Sequence, residues 1–121
     1  MGSTDADGAL LDFERVDVRV GTVARCEAFP EGRYSTHVLW IDLGAELGRM
    51  KSLARLVHYG DPSALVGRQV LCLVGLEPRQ IGSHTSQVLT LAVPDANGDA
   101  VLVVPDPNAA GGDVPAGGRL F

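Results

Sequence analysis

The 121-residue chain is 45% hydrophobic and 21% charged, the balance of a soluble globular protein with material for one core. No apolar run approaches the roughly 18 residues of a membrane span, and the start, MGSTDADGALLDF, lacks the basic and apolar regions of a signal peptide, so a cytoplasmic protein is expected. The net charge of −5 argues at face value against nucleic acid, but residues 1–12 and 93–121 carry −3 each while residues 13–92 carry +1, which leaves room for a local anion-binding face.

In chain order, residues 1–12 read as a small, acidic, poorly ordered N-terminal arm, and residues 13–121 as one folded domain. From Phe13 the segment VDVRVGTVARCEAF alternates with period two, placing Val16, Val18 and Val20 on one side of a half-buried strand. Gly21 predicts a bulge or bend, of the kind a small closed barrel needs to turn a corner. PEGR is a turn and THVLWIDLG a second strand. Residues 45–59 fit either a helical stripe or a short strand. GDPSALVG has Asp61 as N-cap, Pro62 at the first helical position and Gly67 after the last turn, which predicts a helix of barely two turns. RQVLCLVGL and SQVLTLAV are core strands, and PDANGDAVLVV is a hairpin with positive φ expected at Asn97-Gly98. The Pro-, Gly- and Asp-rich tail reads as a loop or arm from which Val114, Leu120 and Phe121 could dock. These elements describe an all-β chain, a five-stranded Greek-key barrel of the OB type with one short helix, with an SH3-like barrel as competitor.

Catalytic signatures are absent. There is no Walker loop, no G-x-G-x-x-G and no nucleophile elbow. His37, His58 and His84 are scattered, with no cysteine or carboxylate at ligand spacing, and His37 reads as a structural histidine in a strand. Cys26 and Cys72 read as reduced and buried, with a disulfide or metal pair as the alternative. No enzyme, cofactor or metal is expected. A hydrolase or transferase with a hidden site has nothing positive in its favour.

What stands out is VGLEPRQIGSHTSQVLTLA, Val74 to Ala92, a polar loop between two apolar strands. Together with DFERVDVRVGTV, LWIDLG and SLARL, it resembles, in order and spacing, the tRNA-binding domain of the CsaA-type secretion chaperones, which is also appended to some methionyl- and phenylalanyl-tRNA synthetases. The S-Q-V-L sequence places the chain nearer the CsaA type. The resemblance implies an OB barrel, a strand at residues 52–56, a homodimer built with the chain ends, and two partners: tRNA, held by shape and backbone, and unfolded or exported proteins. It matches Pro78, Arg79, Ser86 and Gln87 to the RNA-binding loop, a cation for phosphate with hydroxyl and amide groups for ribose or base edges. It matches Lys51, Ser52 and Arg55 to the facing strand.

The sequence departs from the pattern at Gly75, where the family has asparagine, at Glu77, and at Met50, where lysine is common. Lys51 is the only lysine. Few cations release few counterions, so RNA binding is expected to be weak and salt-sensitive; the alternative is a peptide-binding chaperone that has lost most RNA binding. Phe13, Phe29, Tyr34 and Trp40 are the candidate stacking platforms, with Tyr34 also a candidate for a peptide pocket. Leu10, Leu11, Phe13, Leu120 and Phe121 have little core to join in so small a barrel, and burial between two copies would account for them.

Overall fold

Five antiparallel strands in the order β3-β2-β1-β4-β7 wrap into a nearly closed, OB-like barrel. The strands are β1 (Val18–Ala28), β2 (His37–Asp42), β3 (Arg49–Ala54), β4 (Gln69–Leu73) and β7 (Leu89–Thr90). Two hairpins stand off this sheet, β5 (Arg79–Ile81) with β6 (His84–Ser86), and β8 (Ala92–Pro94) with β9 (Ala100–Leu102). The computed structural model describes residues 2–121, with side chains from residue 8 onward.

β1 organises the barrel because it serves two partners. Residues 18–22 pair with β4, residues 22–28 pair with β2, and the ladder to β2 slips between Val23 and Arg25. The handover falls beside Gly21, as the alternation predicts. A Cβ there would lie 2.3 Å from Ile41 Cγ2 and 2.9 Å from Leu43 Cδ2, so the bend rests on bare backbone meeting the core. Val23, Leu39, Ile41, Leu43, Leu56, Val70 and Cys72 fill the interior. Cys26 and Cys72 are both free and buried, and loss of solvation pushes their thiols up to about 11 and about 12, which makes them inert apolar fillers at neutral pH.

Val18 and Val20 face the other side of β1, where they join Leu71 in a second cluster against Leu73, Leu91, Val103 and Val114. The tail covers this cluster through Val114. Gly117 N–H donates to Val20 O, Val20 N–H to Gly118 O and Leu120 N–H to Val18 O, so the tail runs along the free edge of β1. The Gln69 amide clamps Val114 by accepting its N–H and donating to its carbonyl. Val114 docks as expected, whereas Phe121 is fully exposed.

Between β3 and β4 the predicted short helix is a 3-10 helix, Pro62–Leu65, with Asp61 accepting the Ser63 N–H. The ambiguous segment resolves into a one-turn helix α2 (Gly44–Leu47) and β3. Three expectations are corrected. The N-terminal arm gives way to helix α1 (Gly2–Arg15), although the side chains of Asp5 and Asp7 lie outside those described. Its segment has no proline and contains Ala6, Ala9, Leu10 and Leu11, all strong helix formers, and Arg119 donates to the Glu14 and Val16 carbonyls at its C-terminal end. The polar loop at residues 76–86 is largely the β5–β6 hairpin, turned at Gly82-Ser83.

The third correction concerns the β8–β9 turn, where only Gly98 has positive φ, +84°, and Asn97 does not. Asp95 O accepts the Gly98 N–H and Asp95 Oδ1 accepts the N–H groups of Asn97 and Asp99, so a three-residue loop replaces the two-residue turn. Asp95 Oδ2 also lies 2.7 Å from His58 Nε2. The Asp99 N–H first, then His58 and the Asn97 N–H, hold the Asp95 carboxyl below its ordinary value of 3.8. A depressed folded value means stability that is present above the unfolded pKa and lost as pH falls through the folded one. Asp95→Asn should therefore lower the urea midpoint at pH 7, with the gap to wild type closing on acidification below the usual carboxylate range. A gap that persists unchanged in acid would show that the charge plays no part.

Candidate functional site

The β5–β6 hairpin folds back over β3 and the β1–β2 loop, and a groove of about 760 Å³ lies beneath it. Ile81 anchors the hairpin by packing on the buried cluster of Phe29, Val38 and Leu53. Arg79, opposite Ser86 in the hairpin ladder, is exposed and lines the groove together with Arg55, just beyond β3, and Arg33 and Tyr34 from the β1–β2 loop. Arg55 Cζ sits 5.3 Å from the centre of the Tyr34 ring, which is 72% exposed. Glu31 is the only acid among the lining residues. None of the three arginines is in an ion pair among the described residues.

Lys51 lies on β3 beside this groove. Its Nζ is 3.1 Å from His84 Nδ1 and 5.9 Å from the centre of the Trp40 ring. Lysine has only donors, so Nδ1 accepts and the His84 proton sits on Nε2. The His84 ring meets Phe29 and Trp40 edge-on at 5.4 and 6.1 Å. Arg25, paired to Glu27, stacks over Trp40 at 4.5 Å. Arg25 on β1 and Lys51 on β3 thus form a strip of cations flanking the Trp40 ring.

The remaining candidates divide. Pro78 is exposed immediately before β5. Ser52 is a correction: it is fully buried, its Oγ accepting from Thr90 Oγ1 at 2.8 Å, so no ligand on this face reaches it. Ser86 is half-buried, its Oγ accepting the Leu53 N–H and donating to Val88 O. Gln87 is exposed, yet its Oε1 accepts the Lys51 N–H. Both side chains close the barrel, completing the seam between β3 and β7 that the Gln87 and Val88 N–H bonds to Lys51 O begin. Of the stacking candidates, Phe29 is 3% exposed and belongs to the core, and Trp40 is covered by cations. Phe13 is exposed but lies on α1 beside the tail and does not line the groove, so Tyr34 is the open platform there.

Two of the departures have structural reasons. Gly75 has φ +78°, a left-handed conformation that glycine and asparagine tolerate and other residues resist, so the two are interchangeable there on backbone grounds. Met50 packs against the core cluster. Sequence reasoning did not single out Arg33, which lines the groove; its place next to Tyr34 in the chain was the available signal.

A family model described as "Putative tRNA binding domain" matches residues 18–113. The chain belongs to this tRNA-binding domain family. Among curated relatives, the methionine-tRNA ligase of Porphyromonas gingivalis is 31% identical over 106 residues, covering 88% of this chain and 15% of the ligase. That of Methanothrix thermoacetophila is 38% identical over 105 residues, covering 87% and 14%. The chain thus spans about a seventh of the length of these enzymes. Among solved structures, the chaperone CsaA of Bacillus anthracis str. Ames superposes with a TM-score of 0.78 at 34% identity, covering 93% of this chain and 96% of that one. The CsaA chaperone of Picrophilus torridus gives a TM-score of 0.80 at 25% identity, with 93% and 97% covered. The tRNA-binding domain seen here therefore has its arginine groove on a CsaA-like barrel.

A closely spaced histidine and carboxylate pair does occur, His58 with Asp95, and Asp99 is near enough that the three ligand atoms lie within 4.8 Å. The pair sits at the surface, with His58 about half exposed, rather than in a deep cleft. No helix among the described residues is long and apolar enough to cross a membrane.

Proposed function

We propose that this chain is a non-catalytic, CsaA-type tRNA-binding module that holds tRNA by its backbone and shape. The observation that carries this reading is the convergence of Arg79, Arg55 and Arg33, all exposed and free of ion pairs among the described residues, on one groove of a family-matched barrel whose net charge is negative. Lys51 extends the strip. Cations aimed at phosphate supply affinity without base identity, which suits recognition by shape. The small number of such groups makes the interaction weak and steeply salt-dependent.

Two copies would add avidity, and the exposed apolar residues at the chain ends support a homodimer: Leu10, Leu11 and Phe13 on α1, with Leu120 and Phe121 on the tail. Phe13, Leu120 and Phe121 line one shared depression. The cytoplasm is the compartment this role requires. A second reading, a binder of unfolded or exported proteins, is favoured by the exposed Leu89, Val93 and Val101 beside the groove and by the chaperone names of the superposed structures.

Titration of the full chain with a folded tRNA, by mobility shift at low and physiological salt, tests the first reading. Wild-type binding should weaken with salt, and Arg79→Glu should weaken it at least about tenfold, since reversal replaces a phosphate contact by repulsion. Equal binding by Arg79→Glu and wild type would remove the groove from the RNA interface. Absence of wild-type binding at low salt would leave the protein-client reading.

A further inference from the structure

We infer that the groove under the β5–β6 hairpin is a pocket for an unpaired nucleotide, with the base laid on Tyr34 and its phosphates held by Arg33, Arg55 and Arg79. The inference rests on the tRNA-binding reading and specifies which part of an RNA enters this site.

The shape is the first reason. The site is concave, walled by the hairpin, the end of β3 and the β1–β2 loop. Its volume of about 760 Å³ falls within the roughly 300–1,000 Å³ of pockets that enclose small ligands. An unpaired base can enter such a space whereas a base held inside a paired stem cannot, and unpaired bases are recognised by stacking on aromatic rings and guanidinium planes.

The chemistry of the lining is the second. Phe29, Leu53, Ile81 and Leu89 provide an apolar surface, of which Leu89 is the most exposed. Tyr34 projects from the β1–β2 loop, and Arg55 covers the ring from one side while its Nη1 lies 3.5 Å from the Tyr34 carbonyl. The ring therefore has one face braced by a cation and, at 72% exposure, ample surface left to stack. Three arginines against Glu31 give the rim an excess of positive charge, which complements a nucleotide's phosphates and disfavours basic peptide segments.

The test uses the full chain, a folded tRNA, a short single-stranded RNA and a blunt RNA duplex of the same length, with wild type, Tyr34→Phe and Tyr34→Ala compared. Tyr34 is exposed and its removal leaves no cavity. Loss of one stacked base should weaken tRNA and single-strand binding by roughly 10- to 100-fold in Tyr34→Ala, with Tyr34→Phe close to wild type. The single strand should compete with tRNA and the duplex should compete poorly. Equal tRNA affinity in wild type and Tyr34→Ala would overturn the inference while leaving the tRNA-binding reading intact, as would equal competition by the duplex. If wild type fails to bind tRNA, the broader reading falls, and Tyr34-dependent binding of the single strand still decides the pocket. Displacement of tRNA by a denatured polypeptide but not by the single strand would assign the groove to protein clients.

Discussion

Gly21→Val should cost about 3 kcal/mol or more, the upper part of the range for overfilling a packed core, and should shift the urea midpoint accordingly. The side chain has nowhere to go. Its Cβ alone would stand 2.3 Å from Ile41 Cγ2 and 2.9 Å from Leu43 Cδ2, and both neighbours are fully buried. Neither can swing into solvent, and the backbone carbonyl of Asp42 at 3.3 Å closes a third direction. Because the conflict is with one methyl group above all, Gly21→Ala combined with Ile41→Ala should cost less than the sum of the two single changes. Strict additivity in that cycle would mean that the barrel relieves the contact by moving β1 instead.

His37→Leu is expected to lose about 2 to 3 kcal/mol, although leucine fills nearly the same space. His37 is 4% exposed, with Nε2 at 2.5 Å from Tyr59 O and Nδ1 at 2.7 Å from Thr36 Oγ1. A carbonyl can only accept, so Nε2 donates to Tyr59 O, while Nδ1 shares a hydrogen bond with Thr36 Oγ1. Thr36 Oγ1 in turn accepts the Leu56 N–H at 2.8 Å. The imidazole is the middle link of a relay that ties the start of β2 to the segment after β3. Leucine strands the Tyr59 carbonyl without a partner, and an unsatisfied buried acceptor costs about 1–3 kcal/mol on top of the lost bond. Denaturant unfolding of the two proteins measures the difference, and a loss below about 1 kcal/mol would show that water replaces the ring.

The strands were readable because alternation needs no partner to be visible: Val18 and Val20, or Leu39 and Ile41, announce a two-residue period wherever they lie. Gly21 announced the bend for the same local reason. What buries each face is another matter. Val18 and Val20 are covered by Val114, about a hundred residues away, and nothing near either segment reveals that meeting. Helix α1 was misread because three aspartates in twelve residues suggested an arm, although the alanines and leucines between them favour helix. The β5–β6 hairpin was signalled by Gly82-Ser83, a two-residue turn pair, but its flanks are too polar to look like strands.

At the candidate site, the charged residues were legible and the neutral polar ones were not. Arg79 and Arg55 have side chains that reach solvent almost wherever they are attached. A serine gives no such assurance. Ser52 and Ser86 look alike in sequence, yet one hydroxyl is sealed against Thr90 and the other stands in for a missing strand partner. His58 and Asp95, 37 positions apart, meet only because the β8–β9 hairpin lies against the segment after β3.

The seam at β3 also bears on how this surface can change. Ser86 and Gln87 sit at the foot of the hairpin that carries Arg79, and each gives an oxygen to a β3 amide that the backbone ladder leaves without a mate. A substitution there that improved grip on a ligand would at the same time unstitch the wall behind it. Pro78, Arg79, Arg33 and Tyr34 carry no such duty. Variation in preference among chains built on this barrel is therefore cheapest at the hairpin's outer positions and the β1–β2 loop, and most constrained at the two polar residues nearest the closure.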